Sequence, residues 1–442
     1  MVGNLRMAQL EAVADNGGRN GCAAGARIAL VHYTAPPVIG GVEAVVAAQA
    51  RLLRHAGYDV VVVAGRGDAT LVPELDSAHP DVRTTTACLA AGYDPPALKC
   101  LADRIRERLL PVLADRDLII AHNLLTMPFN LAATAALVDA GLPVLAWTHD
   151  VAVSDRRHAG FRRGDWPWSL ISRRHPRAIY VAISETRGCE LAQALDLAPE
   201  EVEVVPNAVD PVEFAGLSSR VRKFLTAIDA LNADPLVLVP QRITPNKRLE
   251  LVLEAAAVLA RLWPALRVLV TGPLDPHSTD SSQYADELLR QRSRLGLDQV
   301  VSFAFEAGNG GQHPLDTRAV TELYRVADVA AVTSATEGFS LPIVEAALAR
   351  VPVVCTDLTV TREVGAGGIF SFPADGEAAE VAGTIQQALA SAGAQQRRGV
   401  ITRYGWWKLL PRLEALIARA LHSAPRSRRH ANGANGHSRE WS

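Results

Sequence analysis

Residues 333–350 read Thr-Ser-Ala-Thr-Glu-Gly-Phe-Ser-Leu-Pro-Ile-Val-Glu-Ala-Ala-Leu-Ala-Arg and follow the apolar run Val329-Ala330-Ala331-Val332. That run predicts a buried strand leaving the carboxyl edge of a sheet. A loop with Glu337, Gly338, Phe339 and Ser340 comes next. Pro342 then falls in the first turn of an apolar helix, where its missing N–H costs nothing. Glu345 is the only charge between Leu341 and Ala349, so partial burial and a partner are expected for it. Seven residues separate Glu337 from Glu345. With the free N–H groups of the helix start, the two carboxylates can hold a polyhydroxylated ligand. A first-turn acid that merely favours the helix dipole, beside a solvated loop acid, is the bland alternative.

Outward from this stretch, the preceding segments alternate strand and helix. A strand is predicted at 236–239, followed by Pro240-Gln241-Arg242-Ile243-Thr244-Pro245-Asn246-Lys247-Arg248 and a helix over 249–262. Arginine and lysine five apart in a strand-to-helix loop can clamp a diphosphate, with the helix N-terminus adding donors. Basic loops are common, so the signal alone is moderate. A strand at 268–271 leads into Gly272-Pro-Leu-Asp-Pro-His277; a helix over 284–295, a strand at 300–305 and a helix over 319–326 follow. Beyond the central stretch, strands are predicted at 351–355 and 367–370 and helices over 378–390 and from Tyr404 to Leu421.

The N-terminal half alternates in the same way, with strands predicted at 26–32, 58–64, 82–86, 118–121, 144–147 and 179–183. Helices are expected over 42–55, 96–114 and 124–140 and from Ser184, a natural N-cap. Such alternation means doubly wound parallel sheets with ligands at the carboxyl ends of the strands. Three of those ends carry candidate groups: Gly40-Gly41, His122-Asn123, and Thr148-His149-Asp150. A glycine pair is by itself a tight turn, and a lone histidine is usually structural. Asp115-Arg116-Asp117 has the look of a metal-binding pair, but it lies at the amino end of its strand and reads as a solvated turn.

At 442 residues the chain calls for two domains of about 180 residues each. With 49% hydrophobic and 21% charged residues it is globular. A net charge of -2 gives no reason to expect nucleic acid. Five scattered cysteines exclude a disulfide framework or zinc site and suit a reducing cytoplasm. No apolar run reaches the roughly 20 residues that span a bilayer. Residues 156–177 stand out, with seven arginines, two histidines, Phe161, Trp166 and Trp168 against the single acid Asp165. An anionic acceptor, an anionic membrane surface, single-stranded nucleic acid or a plain surface loop would each suit that mixture. Its place directly after His149 favours an acceptor-side lid in which Arg162 and Arg163 contribute.

Taken together, these ordered motifs resemble the retaining glycosyltransferases of family 4, with the GT-B fold. Glu337 and Glu345 resemble the family's paired glutamates, Arg242 and Lys247 its diphosphate-binding pair, and Gly40-Gly41-Val42-Glu43 its N-terminal glycine loop. His149-Asp150 resembles the active-site histidine motif, and Val205-Pro206-Asn207-Ala208-Val209-Asp210 the interdomain segment. Ser340, Gln241 and Ala208 stand where glycine is usual. The resemblance implies two Rossmann-like domains facing a cleft: 27–210 on the acceptor side and 211–402 on the donor side. It also implies a helix over 403–422 packing back on the first, with disordered ends at 1–26 and 423–442.

It further implies a UDP- or GDP-linked hexose donor and a hydroxyl acceptor, without a cofactor or metal. Glu345 would hold the ribose, and Glu337 with Gly338, Phe339 and Ser340 the sugar. Arg242 and Lys247 would hold the diphosphate, Gly40 and Gly41 would add backbone donors, and His149 would border the reacting sugar. His122, Asn123 and Asp150 are acceptor-side candidates. The expected chemistry is same-face attack, since no carboxylate stands out as a covalent nucleophile of the retaining-glycosidase type. The expected location is the cytoplasm, with peripheral contact to the inner membrane face left open, as are the acceptor and the oligomeric state. An epimerase or phosphorylase on the same scaffold, and a non-catalytic two-lobed sugar-binding protein, are the competing readings.

Overall fold

The computed structural model describes residues 25–274, 280–307 and 315–423. The ends expected to be disordered lie almost entirely outside that range, as do residues 275–277 of the glycine-proline loop. Contacts divide the chain into two units, one comprising residues up to Ala208 and from Trp406 on, the other Val209–Gly405.

The first unit is built on seven parallel strands: β1 (Arg27–Val31), β2 (Asp59–Ala64), β3 (Thr70–Leu71), β4 (Leu118–His122), β5 (Val144–Thr148), β6 (Ala178–Ala182) and β7 (Val202–Val204). Their spatial order is β3-β2-β1-β4-β5-β6-β7. Strand alternation sends Ala29 and Val31 to one face of the sheet and Ile28 and Leu30 to the other, and both sets are buried. A parallel sheet covered by helices on both faces requires this two-sided apolarity. One cover holds the helices Ala97–Leu113 and Leu131–Asp139. The other holds the helix Gly41–His55 together with Leu413, Leu416 and Ile417 of the final helix, Trp406–His422.

The second unit carries six parallel strands: β8 (Leu236–Val239), β9 (Arg267–Val270), β10 (Val301–Phe303), β11 (Val329–Val332), β12 (Val353–Thr356) and β13 (Phe370–Phe372). Their order is β10-β9-β8-β11-β12-β13. The helices Leu249–Leu259 and Ala378–Leu389 cover one face, and Ser219–Ala227, Thr317–Tyr324 and Leu341–Leu348 cover the other. Two parallel-sheet α/β units of this kind are the architecture of the GT-B fold class.

In each sheet the strand order reverses at one point, between β1 and β4 and between β8 and β11. There the flanking connections run in opposite directions and leave a crevice at the carboxyl ends, the binding position of doubly wound folds.

Several expectations need correction. Residues 82–86 form no strand; they belong to the helix Pro80–Ala90. Pro80 starts that helix, the His79 side chain accepts from the Asp81 N–H, and Val82, Thr85 and Leu89 fall on its buried stripe. The β-branched run suggested strand, and the helical spacing of its apolar positions prevailed. The helix expected over 124–140 begins only at Leu131, after a 3-10 turn at Pro128–Asn130, because Asn130 caps it by accepting from the Ala133 N–H. The strand at 367–370 lies later, at Phe370–Phe372. The helices Ser219–Ala227 and Ala392–Tyr404 were not anticipated.

Candidate active site

In the second unit, the loops leaving β8 and β11 lie side by side at the reversal point and are laced together. The Ala335 N–H donates to the Asn246 carbonyl, Asn246 Nδ2 donates to the Thr336 carbonyl at 3.1 Å, and the Thr336 hydroxyl donates to Asn246 Oδ1 at 2.8 Å. Lys247 Nζ donates to Glu337 Oε1 at 2.7 Å. Ser334 Oγ donates to the same oxygen at 2.6 Å. Both members of the ion pair are largely buried, with side chains 21% and 12% exposed. Arg242 leaves the same loop into solvent, and no hydrogen bond or ion pair holds its side chain among the described residues. A free guanidinium and a preset ammonium on one loop are suited to a diphosphate, which offers several oxygens to planar and point-charge donors.

Glu345 is half-buried on the helix Leu341–Leu348 and accepts from the Tyr324 hydroxyl at 3.0 Å. Burial first, and then the Glu345 carboxylate, raise the Tyr324 phenol above its usual range, so it remains a donor. Tyr324 escaped sequence reasoning because it lies on a separate helix, 21 positions upstream. Gly338 and Phe339 are exposed at the loop tip. Ser340 caps the helix in the left-handed region, at φ 70°, and its buried hydroxyl has no partner among the described residues. This is why glycine is the usual residue there.

In the first unit, the helix Gly41–His55 starts at the loop after β1. A Cβ on Gly40 would fall 2.0 Å from Glu43 Oε2, so the carboxylate can fold back over the helix start only above a glycine. Gly41 has open space. Glu43 accepts from the Thr34 hydroxyl and lies 3.9 Å from His32 Nε2.

Beside the reversal point, His122 at the end of β4 contacts His149 just beyond β5, Nδ1 to Nε2, at 3.0 Å. The rings are stacked, with centroids 5.3 Å apart. His32 Nδ1 donates to the His122 carbonyl at 2.9 Å. Burial drives all three imidazoles toward the neutral form. His149 is lowered to about 4, by burial first and by His32 next, against the opposing pull of Asp150 and Glu43. His122 falls well below its ordinary value and His32 less so. Asn123, at φ 61°, accepts through Oδ1 from the N–H groups of His149 (2.8 Å) and Asp150 (3.1 Å). Its Nδ2 donates to Asp150 Oδ2 at 3.3 Å. His122, Asn123, His149 and Asp150 are thereby one bonded cluster.

Next to Asp150 opens a pocket of 700 Å³, walled by Phe129, Arg156, Arg157, His158, Arg187 and Glu190 among others. Arg157 is answered by Asp155 and Arg187 by Glu190, while Arg156 has no partner among the described residues. Beyond His158 the segment is split between core and surface, with Phe161 and Trp168 buried and Arg162, Arg163, Trp166, Arg173, Arg174 and Arg177 exposed. Phe161 and Trp168 are core residues, and the Trp168 indole N–H donates to the Leu89 carbonyl. Arg163 stacks 3.9 Å over the Trp168 ring, pairs with Asp165 and donates to the Gly92 carbonyl. Neither Arg162 nor Arg163 lines the pocket. The Asp115–Asp117 turn is ion-paired: Asp117 holds Arg27, and Arg116 bridges Asp115 and Asp59. The described residues contain no cluster of three metal-ligating side chains, and no helix among them is long and apolar enough to cross a membrane.

Residues 39–213 match the model of Glycosyltransferase Family 4, and residues 223–403 that of Glycosyl transferases group 1. The D-inositol 3-phosphate glycosyltransferase of Nocardia farcinica is 25% identical over 75% of this chain and 73% of its own length. The MMP alpha-(1->4)-mannosyltransferase of Mycolicibacterium hassiacum is 24% identical over 89% of this chain and 98% of its own. Among solved structures, Anabaena HepE in complex with UDP and glucose aligns at 20% identity over 89% of this chain and all of that one, with a TM-score of 0.34. The two family models between them span most of the sequence, and the chain is a glycosyltransferase of family 4, group 1.

Proposed function

We propose that the protein is a retaining glycosyltransferase that moves a hexosyl-type sugar from a UDP- or GDP-linked donor to a hydroxyl of its acceptor. The observation that carries this reading is the Lys247–Glu337 pair at the reversal point of the second sheet, with Arg242 exposed on the same loop. Lys247 and Arg242 bind the diphosphate and stabilise the charge that grows on it as the glycosidic bond breaks, which is electrostatic catalysis by preplaced donors. Glu337, with one oxygen held by Lys247 and Ser334, offers the other to sugar hydroxyls. Glu345, steadied by Tyr324, takes the ribose hydroxyls. The two cationic groups supply what a divalent metal supplies elsewhere, so turnover needs none.

In the first unit, the pocket beside Asp150 receives the acceptor. Its charges are largely paired, and Phe129 and His158 give it an aromatic wall. Mixed polar walls with one aromatic face suit a polyhydroxylated molecule. A relative named for D-inositol 3-phosphate agrees with an acceptor of that kind. A thermal-shift screen of nucleotide-sugars tests the donor, followed by mass spectrometry of products with candidate polyols and NMR of the new anomeric centre. Retained configuration is expected. Inversion, release of free sugar phosphate, or isomerisation without acceptor would reject the reading.

A further inference from the structure

Gln241 occupies a position where the family resemblance leads one to expect glycine, yet its side chain is 3% exposed and fully engaged. Its Oε1 accepts from the Thr333 N–H at 3.0 Å, and its Nε2 donates to Ser334 Oγ at 2.7 Å. Having accepted that bond, the Ser334 hydroxyl donates its own hydrogen to Glu337 Oε1 at 2.6 Å, the oxygen that Lys247 Nζ also reaches. Thr333 Oγ1 in turn donates to the Lys247 carbonyl at 2.6 Å. The bonds close a ring through Gln241, Ser334, Glu337, Lys247 and Thr333.

The direction of every bond in this ring follows from chemistry. A carboxylate can only accept and an ammonium can only donate, so Ser334 must point its proton at Glu337. The serine oxygen is then left to accept, and the amide N–H of Gln241 is the group that fills it. Glycine could provide none of this. The backbone at the site is also clamped: a Cβ on Gly272 would sit 1.9 Å from the Gln241 carbonyl oxygen and 2.5 Å from Arg242 Cα.

We infer that Gln241 is a positioning residue that, through Ser334, aims the Glu337 carboxylate, keeping Oε1 for Lys247 and freeing Oε2 for the donor sugar. The inference rests on the proposed role of Glu337 in holding that sugar. It assigns to this chain a support for sugar binding that a glycine would lack, placed one residue before the diphosphate-binding Arg242.

The test uses the full chain with UDP, GDP, UDP-glucose and GDP-mannose as probes, in calorimetric titration. Variants are Gln241→Met, which keeps length without hydrogen bonds, Ser334→Ala, the double variant, and Glu337→Ala. Gln241→Met and Ser334→Ala should each weaken the bound nucleotide-sugar about tenfold and leave the free nucleoside diphosphate within about threefold. The double variant should be no weaker than either single one, because both cut the same chain of bonds. Unchanged affinities, additive losses, or equal losses for nucleotide and nucleotide-sugar would overturn the inference while Glu337→Ala still loses the sugar. If Glu337→Ala itself binds nucleotide-sugar normally, the reading of Glu337 fails. Denaturant unfolding without ligand then still judges the relay: additive destabilisation by Gln241→Met and Glu337→Ala would overturn it as well.

Discussion

His122 Nδ1 and His149 Nε2 share one proton across 3.0 Å, and the surroundings decide who carries it. The other His122 nitrogen, Nε2, is buried without a partner among the described residues. An orphaned buried N–H is rarer and costlier than an orphaned lone pair, so His122 donates from Nδ1 and keeps Nε2 bare. His149 then carries its own proton on Nδ1, as a neutral donor. With His149 held at about 4, activity should show no inflection near pH 6.5 and should fall only toward pH 4. A pH–rate profile checks this, and a bell edge near pH 6.5 that vanishes in His149→Gln would contradict it.

The same three imidazoles make stability acid-sensitive. In the unfolded chain they titrate near 6.5, and in the folded one each is lowered. Between the two values the unfolded state binds more protons, so stability is full above about pH 6.5 and is lost as pH falls toward 4. Each histidine contributes a slope of at most about 1.4 kcal/mol per pH unit. Urea unfolding at pH 7.5 and pH 5 should show the loss, and His149→Gln should lessen it.

The two glutamates should separate by ligand. Glu345→Ala should abolish the thermal stabilisation given by free nucleoside diphosphate. Glu337→Ala should retain that stabilisation and lose the increment due to the sugar. Each lost charge-assisted bond should cost roughly 1.5–3 kcal/mol, about ten- to hundredfold in affinity. Thermal shifts of both variants with UDP or GDP and with the matching nucleotide-sugar decide it; equal losses in all four measurements would refute the division.

Two arginines from one basic segment should behave differently. Arg156→Ala, at the pocket, should raise the acceptor's KM several-fold and leave the melting temperature within a degree or two, as expected of an exposed side chain. Arg163→Ala should lower stability by about 1 kcal/mol through lost stacking on Trp168 and a lost bond to the Gly92 carbonyl, with acceptor kinetics unchanged. Steady-state kinetics and thermal melts of the two variants provide the check.

Ser340→Gly should stabilise the protein by about 1 kcal/mol, since a left-handed serine costs roughly 1–2 kcal/mol and its buried hydroxyl is unpaired. A lower melting temperature would show that the serine hydroxyl has a partner in solution. Activity in excess chelator should be nearly undiminished, and a collapse restored by magnesium or manganese would show that Arg242 and Lys247 do not suffice.

Much of this architecture was legible in local pattern. The strands β8 and β11 begin and end where their apolar runs do, and the loop cations and acids follow them directly. Legibility failed where the deciding partner was distant in sequence. Tyr324 meets Glu345, and Gln241 meets Ser334, only because the sheet order places their elements side by side. The aromatic-arginine segment misled for the opposite reason. Its composition was that of a binding surface, yet Phe161 and Trp168 are spent on the core, Trp166 is exposed beneath Lys99, and only Arg156, Arg157 and His158 of the segment face the pocket. Residues 82–86 failed because β-branching is a weak prior against a helix start set by Pro80.

The final helix belongs with the first unit, so the chain leaves that unit at Ala208 and returns to it only at Trp406. During synthesis, Leu30, Ile120 and Trp147 emerge early, but the Leu413 and Ile417 that help cover them come last. At 5–20 residues per second, the intervening second unit takes roughly 10–40 s to make. For that time one face of the nascent first sheet is incompletely roofed, with apolar side chains open to chaperones or to neighbouring chains. A premature stop just before Trp406 would leave the second unit whole and the first permanently unfinished. Loss of a short C-terminal piece should therefore be felt most in the half of the molecule translated first.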